Sequence, residues 1–316
     1  MEPREPTNSD RTAQSKTRYA EIKTKLENNR LVVGILLVVT FIGGATTVVK
    51  NIDSIISYFS EPVVAIETAT KNLADASPEV RIIGAHNLAK IGVKNKAGAE
   101  QALSVLVTFL QRERSANKVR QPEERADVVA ALQALGKIVE AADKQNWLSE
   151  RPRLEKLDFS DLDLSGLYLH KVTIVDTSFE RGVLNNANLS EAELINVKFN
   201  RVQAQEISLH NAQIRSSCFE EANLTNGDLR SLKVSSSDLN SSVLTGANLS
   251  QAQLNNTRVA NADFGNSDLS AANFSGALEI VPGQLEKAKN HEGINPLPFQ
   301  RSTLSVCKPY RSGAEQ

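Results

Sequence analysis

The chain has 316 residues, of which 41% are hydrophobic, and a formal net charge of −1. This length allows two or three domains, and the near-neutral charge argues against a dedicated nucleic-acid-binding protein, which would carry an excess of Lys and Arg. The two cysteines, Cys218 and Cys307, are too few for a disulfide framework in a chain of this size, and we expect both to be plain thiols.

The N-terminal part predicts a membrane anchor. Residues 1–30 are polar and predict a disordered tail. Residues 31–49, LVVGILLVVTFIGGATTVV, carry no charge, and as a helix they would span about 28 Å, close to the ~30 Å core of a bilayer. The alternatives are a buried core helix or a cleaved signal peptide, but no partner helices adjoin the segment and no A-x-A site follows it. We favour an uncleaved single-pass anchor, whose apolar residues include Leu31, Leu36, Phe41 and Val49.

Basic residues are more frequent before the apolar segment than after it. Only Lys50 follows immediately, whereas the basic residues that lie nearest before it are Lys16, Arg18, Lys23, Lys25 and Arg30. The positive-inside rule therefore predicts a cytoplasmic N-terminus, with the rest of the chain across the membrane. An apolar stripe then continues to residue 60, and it either lies in the headgroup region or extends the membrane helix. Its members are Ile52, Ile55, Ile56 and Phe59.

Residues 61–144 have helical periodicity and predict four helices. The second begins at SPEVR, with Ser77 as N-cap and Pro78 at the first helical position, and it ends near Gly92. The fourth begins at QPEER, residues 121–125. The segments SPEVRIIGAHNLAKIG and QPEERADVVAALQALGKI share the Pro-Glu opening, an Arg one turn in and a closing Gly. This resembles a pair of HEAT-like repeats, and two such repeats need another element to cover one end.

Residues 154–274 are organised by a period of five. A large apolar side chain returns at every fifth residue for 25 positions, and 24 of these are Leu, Ile, Val or Phe, with Ala204 as the exception. A period of five fits neither a helix nor a strand, so the backbone must turn once per unit. Similar side chains recur at a spacing of twenty, which predicts four units per coil and a square solenoid of about six coils, roughly 29 Å long. Phe159, Phe179, Phe199 and Phe219 form one such series.

The unit reads A-N/D-L-S/T-x, as in ANLSEAELINVKF and ANLSQAQLNNTRVANADF. This stretch strongly resembles the pentapeptide-repeat family, and the resemblance implies a right-handed quadrilateral β-helix over residues 154–277. The layout of an anchor, a helical module and then repeats resembles bacterial membrane-anchored pentapeptide-repeat proteins. The fold class is therefore mainly β solenoid, preceded by a transmembrane helix and a small α-helical domain.

Both ends of the solenoid need covers. The linker at residues 145–153 leads into a first coil whose usually small inner positions are bulky, which predicts a wide apolar opening lined by Leu157, Leu162 and Leu167. We expect the helical module to meet this opening, with Trp147 and Leu148 packed into it. Residues 278–316 predict a cap followed by a loose tail, and the cap includes a short helix over 281–289 with Leu285 and Ala288 facing inward.

Candidate catalytic groups are scarce. The sequence has no Walker loop, nucleophile elbow or glycine-rich phosphate loop. The histidines lack metal-ligand spacing, and His170 and His210 share one face two coils apart, too far to bind one ion. We therefore expect no enzyme activity, cofactor or metal. Six aspartates occupy the Asn/Asp position of the unit and are interpreted as turn residues: Asp158, Asp163, Asp228, Asp238, Asp263 and Asp268.

Two functions from different classes remain. The first is an interaction scaffold for an unknown protein partner, with a candidate apolar patch that equally could dock the chain's own helical module. This patch comprises Val175 and Ile195, flanked by Val183 and Val197. The alternative is a DNA mimic that inhibits a type II topoisomerase, as some pentapeptide-repeat proteins do. Mimicry needs a dense acidic surface, yet residues 154–277 hold 15 Asp and Glu against 9 Lys and Arg. The scaffold is favoured, no nucleic-acid partner is expected, and dimerisation stays open.

Overall fold

The computed structural model describes residues 64–115, 121–281, 283–291 and 294. The predicted polar tail, the predicted anchor at 31–49 and its apolar extension lie outside the described residues, as does the predicted loose C-terminal tail. Within the described ranges, no helix combines the length and the apolar character needed to cross a membrane.

Four α-helices precede the repeats, as the periodicity predicts. They are α1 at 64–73, α2 at Pro78–Gly92, α3 at Lys96–Ser115 and α4 at Ala126–Lys144. A 3-10 turn at Pro122–Arg125 leads into α4. Helices α2, α3 and α4 contact one another through fully buried side chains such as Leu88, Leu106 and Leu132. Burial of this apolar face is the main stabilising contribution to the helical module.

The predicted start of α2 is confirmed. Ser77 is its N-cap, and the Ser77 side chain accepts a hydrogen bond from Val80 N, while Pro78 occupies the first turn. In the middle of α2, a Cβ on Gly84 would lie 2.6 Å from the backbone N of Leu73, so α1 and α2 meet there backbone to backbone.

Residues 153–278 form a β-solenoid of about six coils. One parallel sheet contains β1 Arg153–Glu155, β2 Thr173–Val175, β3 Glu193–Ile195, β4 Gln213–Arg215, β5 Lys233–Ser235 and β6 Gln253–Asn255, in this order. A second pair contains β7 Thr257–Arg258 and β8 Ala277–Leu278. Leu154 pairs with Ile174, and each later strand is shifted by the same twenty residues. This register confirms four units per coil.

The solenoid has four faces, which we define by their inward residues. Face A holds β1–β6 and begins with Leu154; face B begins with Phe159, face C with Leu164 and face D with Leu169, and each continues every twenty residues. The residues immediately before and after each inward residue form the outward columns of that face. Isolated parallel bridges join successive coils along faces B, C and D.

The interior is filled by the period-five residues, all 25 of which are buried, Ala204 included. Four phenylalanines stack along face B: the Phe159 and Phe179 ring centroids are 5.4 Å apart, those of Phe179 and Phe199 5.1 Å, and those of Phe199 and Phe219 4.7 Å. Each buried Leu or Phe contributes about 1.5–3 kcal/mol. This column is therefore a large part of what holds the coils together.

The backbone turns at the second residue after each inward residue, where φ is positive at nearly every unit. Examples are Asp161 at 63°, Asn186 at 59° and Gly246 at 70°. This left-handed conformation is unfavourable for residues with a Cβ. Hydrogen bonds from these corners to the next coil, such as Asp161 N to Glu180 O at 3.0 Å, offset that cost.

The six aspartates before inward residues are structural. Each accepts a hydrogen bond from the backbone N–H two residues later, as Asp163 does from Ser165 N at 3.0 Å and Asp263 from Gly265 N at 2.9 Å. The same bond occurs at Asp158, Asp228, Asp238 and Asp268. The carboxylates thus satisfy amides at the turns, which explains the N/D-L-S/T order of the unit.

The C-terminal cap differs from the prediction. Leu285 and Ala288 are buried as expected, but the described residues between 281 and 291 form turns rather than a helix. Gly283 has a φ of 82°, which a helix does not contain. Gln284 Nε2 donates to Val259 O at 2.7 Å and to Ala262 O at 3.0 Å, so a side chain rather than a helix satisfies carbonyls of the last coil.

Candidate interaction surfaces

The structure does not bring the four residues of the predicted apolar patch together. Val175 and Ile195 are paired on face A, but Val175 is only 8% exposed and Ile195 is half-buried. Val197 is fully buried inside the solenoid, because it occupies the inward position at the start of its unit. Val183 lies on face C instead. The prediction that Val183 and Val197 flank Val175 and Ile195 on one surface is therefore wrong.

Face C presents an uncharged surface between its two ends. Its first outward column contains Asp163, Val183, Gln203, Asn223, Val243 and Asp263, bridged in parallel register. Val243 is 36% exposed. Asn223 Nδ2 donates to Gln203 Oε1 at 3.2 Å, so the two amides hold each other in place. The second column adds Asn185, Gln205, Thr225 and Thr245, which are also uncharged. Depletion of charge in this way is typical of the centre of a protein interface.

Several carboxylates on the rest of the solenoid are paired with arginines. Arg181 donates to both oxygens of Asp161, at 2.7 and 2.6 Å, across one coil spacing at the corner after face B. Arg230 does the same to Asp228 on face D, with both distances 2.7 Å. These pairs cancel negative charge that a DNA mimic would need to display.

Helix α4 covers the first coil of the solenoid. A Cβ on Gly136 would lie 3.0 Å from Tyr168 O and 3.3 Å from Leu167 Cδ1, so α4 rests directly on this coil. At the start of α4, the Arg125 guanidinium donates to the carbonyl oxygens of Ser160 and Asp158. Leu157, Leu162 and Leu167 are all buried in the core that α4 shares with the solenoid, and Trp147 and Leu148 pack half-buried against it.

The end of α4 is attached to face D by a polar cluster around Asp143. Its Oδ2 accepts from the Tyr168 hydroxyl at 3.3 Å, and its Oδ1 lies 3.1 Å from Lys171 Nζ and 3.5 Å from His170 Nε2. Burial, together with the negative charge of Asp143, raises the pKa of Tyr168 to about 12. The cluster therefore joins the module to the solenoid by charge and hydrogen bonding as well as by packing.

The histidines do not form a site. His170 and His210 lie on face D two coils apart, as predicted; His170 Nδ1 is 2.8 Å from Ser190 Oγ, and His210 Nδ1 is 3.2 Å from Arg230 O. Among the residues that the structure describes, no three His, Cys, Asp or Glu side chains are grouped as a metal site would require. The histidines that could have indicated a metal centre in the sequence thus make local hydrogen bonds instead.

A void in the solenoid interior is too small for a substrate. The void between the Phe219, Leu229 and Leu239 side chains measures about 10 Å³, at the lower limit for a single water molecule. A wider groove of about 550 Å³ lies between α3 and the linker and is lined by Leu103, Val107, Thr108, Leu148, Arg153 and Glu155 among others.

Cys218 departs from the prediction of a plain thiol, because it is disulfide-bonded. It lies on face B, bridged to Lys198 in the coil before and to Asp238 in the coil after, and it is 2% exposed. The cysteine count carried no signal for this bond, since two cysteines so far apart in sequence can be free or joined.

Comparison with protein families matches two parts of the solenoid. Residues 175–211 and 247–277 match the model described as pentapeptide repeats, in eight copies. No curated protein matches the chain in sequence.

Similar solved structures match between about a third and a half of the chain. QnrB1, a plasmid-mediated fluoroquinolone resistance protein, has 15% identity and a TM-score of 0.27, over 48% of this chain and 84% of that one. HetL, a pentapeptide repeat protein involved in heterocyst differentiation regulation in Nostoc sp. strain PCC 7120, has 19% identity and a TM-score of 0.21, over 45% and 81%. A pentapeptide repeat protein from the Arabidopsis thaliana thylakoid lumen has 22% identity and a TM-score of 0.19, over 32% and 70%.

Proposed function

Since its solenoid carries pentapeptide repeats, we propose that this chain is a non-enzymatic scaffold, anchored in a membrane through residues 31–49, that binds a protein partner along face C. The observation that carries the proposal is the uncharged column from Val183 to Val243, fixed in register on a rigid and filled solenoid.

The rigidity of the column favours binding. Parallel bridges fix the backbone of Val183, Gln203, Asn223 and Val243, and the inward residues behind them are buried. Little conformational entropy is therefore lost when a partner packs against this face. Four side chains at the inter-coil spacing extend over about 14 Å, so the partner needs a matching flat and uncharged surface.

The helical module supports the scaffold proposal, because we interpret this module as a spacer that also covers one end of the solenoid. We interpret α2 and α4 as the equivalent helices of two HEAT-like repeats, because the Arg one turn in from each Pro-Glu opening binds backbone carbonyls. Arg81 Nη1 donates to Asp75 O at 2.9 Å and Ala76 O at 2.8 Å, ahead of α2. Arg125 donates instead to carbonyls of the first coil. Arg125 of the second repeat thus binds the solenoid, whereas Arg81 of the first repeat binds the turn ahead of its own helix.

Photo-crosslinking of the full chain tests the binding face. A photoreactive residue at Gln203, exposed on face C, should give a discrete adduct in cells. The same residue at Gln213, exposed on face A one half-coil later, is the matched control and should not. Val243→Glu should abolish the adduct at position 203, because a carboxylate would be desolvated in the interface. Equal adducts at both positions would contradict the choice of face C.

The anchor is tested separately by reporter fusions at the C-terminus. The excess of Lys and Arg before residue 31 supports an orientation with the solenoid outside the cytoplasm. A periplasmic reporter should therefore be active in a bacterial host, and the chain should stay in the membrane fraction after a high-salt wash. Activity of a cytoplasmic reporter instead would reject this orientation.

The alternative of DNA mimicry has a direct assay. Because arginines pair Asp161 and Asp228, the solenoid surface is less negative than its carboxylate count suggests. We expect no inhibition of supercoiling when the full chain is added to a type II topoisomerase. Inhibition in the same concentration range as binding would favour the mimic over the scaffold.

A further inference from the structure

Strand β1 is an edge strand whose outer backbone groups are open. In β2, the backbone groups of Thr173 and Val175 point towards β1, and Thr173 N donates to Pro152 O at 2.9 Å. By the twenty-residue register, those of Arg153 and Glu155 point to where a preceding coil would lie, but β1 is the first strand of its sheet. Among the described residues, none pairs with the backbone N–H or C=O of Arg153 or Glu155. Such an edge is a template for a further strand.

A groove lies beside this open edge. Helix α4 rests on the first coil near faces B and D, whereas α3 approaches β1, and a groove of about 550 Å³ separates α3 from the linker and β1. Volumes of about 300–1,000 Å³ are usual for binding sites. One face of α3 lines the groove, with residues at three- and four-residue intervals from Glu100 to Gln111. This stretch is about 16 Å long, the length of about five extended residues.

The walls of the groove are apolar at their base. Leu103 on α3 is buried, and Val107 on α3 and Leu148 in the linker are half-buried. Ser104 and Thr108 are exposed at the side of α3. Because successive side chains of a strand point to opposite sides, a strand in this groove would place every second side chain on the apolar base. An occupant with alternating apolar residues therefore fits.

The charges of the groove favour a basic occupant. Its two arginines are already bonded: Arg151 Nη1 donates to a backbone carbonyl of the second coil at 2.8 Å, and Arg153 Nε donates to the neighbouring carboxylate of β1 at 2.9 Å. Glu150 is exposed and has no ion pair with any residue that the structure describes. Glu100 lies 3.8 Å from Lys96, beyond hydrogen-bonding distance. Two carboxylates are thus available to a Lys or Arg of a partner.

We propose that this groove binds an extended segment of another protein, which adds to β1 as an outer strand of face A. The segment carries alternating apolar residues and a Lys or Arg near one end. Arg153 and Glu155 offer it two backbone donors and two acceptors, and main-chain pairing of this kind supplies affinity while the side-chain contacts supply specificity. The site is separate from face C, so the proposal does not depend on binding there.

Peptide selection on the full chain tests the proposal. The purified chain, in detergent, is panned against a phage library of random dodecapeptides, and the selected peptides are synthesised. We expect alternating apolar residues with a Lys or Arg. Ser104→Arg, which fills the groove, should weaken their binding at least about tenfold, a loss of about 1.4 kcal/mol. Gln101→Arg, exposed on α3 outside the groove lining, is the matched control and should bind like the wild type.

N-methylated peptides test the strand pairing itself. Methylation of alternate peptide nitrogens removes either the N–H groups that face β1 or those that face away from it. One set should bind at least about tenfold more weakly, because the backbone carbonyls of β1 then lose their donors. The other set should bind like the parent peptide. Equal affinities of the two sets would show that the groove takes side chains without adding a strand, and would overturn the proposal.

A charge reversal gives a second variant that leaves α3 unchanged. Glu150→Lys, at an exposed position of the linker, should weaken binding of the basic peptides, and Glu67→Lys, exposed on α1, should not. Equal thermal midpoints would show that all four variants are folded. Selection of no peptide, which would result if another part of the chain occupied the groove, would overturn the proposal. So would a dimer in sedimentation that Ser104→Arg alone dissociates, because the occupant would then be a second copy.

Discussion

Asp143, in the last turn of α4, accepts a hydrogen bond from the hydroxyl of Tyr168, in the first coil of the solenoid, at 3.3 Å. This bond, with the close approach of Gly136 to the same coil, makes α4 the cover of an end that would otherwise expose backbone hydrogen-bonding groups. The helical module and the solenoid therefore share one core, and changes at their junction should alter the stability of both.

The Tyr168 bond predicts a loss of stability in alkali. The folded state raises the pKa of Tyr168 to about 12, above the usual 10.0, so the folded chain holds this proton more tightly than the unfolded chain. The resulting stabilisation is complete below about pH 10 and is lost as the pH rises towards 12. Urea unfolding midpoints across this range should fall less in Tyr168→Phe than in the wild type. Parallel falls in both chains would contradict the prediction.

The packing of α4 predicts that Gly136 does not tolerate a branched side chain. Gly136→Val would push methyl groups into Tyr168 O and Leu167, and overpacking of this kind typically costs about 1–3 kcal/mol. The thermal midpoint should fall by about 2–4 °C for each kcal/mol. Gln133→Val, on the exposed side of the same helix, controls for the lower helix propensity of Val and should have a small effect. An equal loss in both variants would argue against contact at Gly136.

The phenylalanine column predicts a large core effect in the middle of the solenoid. Phe199 is stacked between Phe179 at 5.1 Å and Phe219 at 4.7 Å, and it is 1% exposed. Phe199→Ala should reduce the free energy of unfolding by about 3–5 kcal/mol, because it leaves a cavity with two unstacked neighbours. Chemical denaturation monitored by circular dichroism measures this. Asn200→Ala, which changes the next side chain on the outside, should cost much less.

The turn aspartates predict acid sensitivity of the solenoid. The Ser165 hydroxyl, and then the Ser165 N–H, hold the pKa of Asp163 below its usual value, and Ser270 does the same to the pKa of Asp268. Because the folded pKa values are lowered, this stabilisation is present above the unfolded value of about 3.9 and is lost as the pH falls below it.

Asparagine variants measure that contribution. An Asn side chain keeps an oxygen for the turn amide but does not titrate between neutral and acidic pH. The double variant Asp163→Asn with Asp268→Asn should therefore lose less of its thermal midpoint than the wild type between about pH 6 and pH 3. Asp176→Asn is the control, because the Asp176 carboxylate accepts a hydrogen bond from the Asn196 side chain and not from a turn N–H. This variant should lose as much of its thermal midpoint as the wild type. If the thermal midpoint of the double variant falls as far as that of the wild type, other carboxylates dominate the acid sensitivity.

The sequence was most informative where a pattern of residues is compatible with a single backbone arrangement. The period of five demands a turn per unit, and the similarity at a spacing of twenty demands four units per coil, so Phe159 and Phe179 could be stacked without coordinates. Ser77 before Pro78 likewise marked the start of α2. These features are local or strictly periodic, which is why they could be predicted.

The surface was harder to predict because it depends on which segment covers which face. Val197 follows the same inward rule as Ala192, so its burial could have been predicted from the repeat itself. Nothing local indicated that Val175 or Cys218 would be covered, because both occupy outward positions. The end of the solenoid was misjudged because Gln284 satisfies two carbonyls that a helix was expected to cover.

The twenty-residue register also limits how this rod can change in length over evolution. Loss or gain of a few residues would rotate every later unit onto a neighbouring side and break each column, Val183 with Gln203 included. Only whole coils can be added or removed without such a break, and each one moves the distal end by about 4.8 Å. Any partner that contacts two separated points along the rod would therefore select for a fixed number of coils, because the distance between those points changes only in steps of one coil.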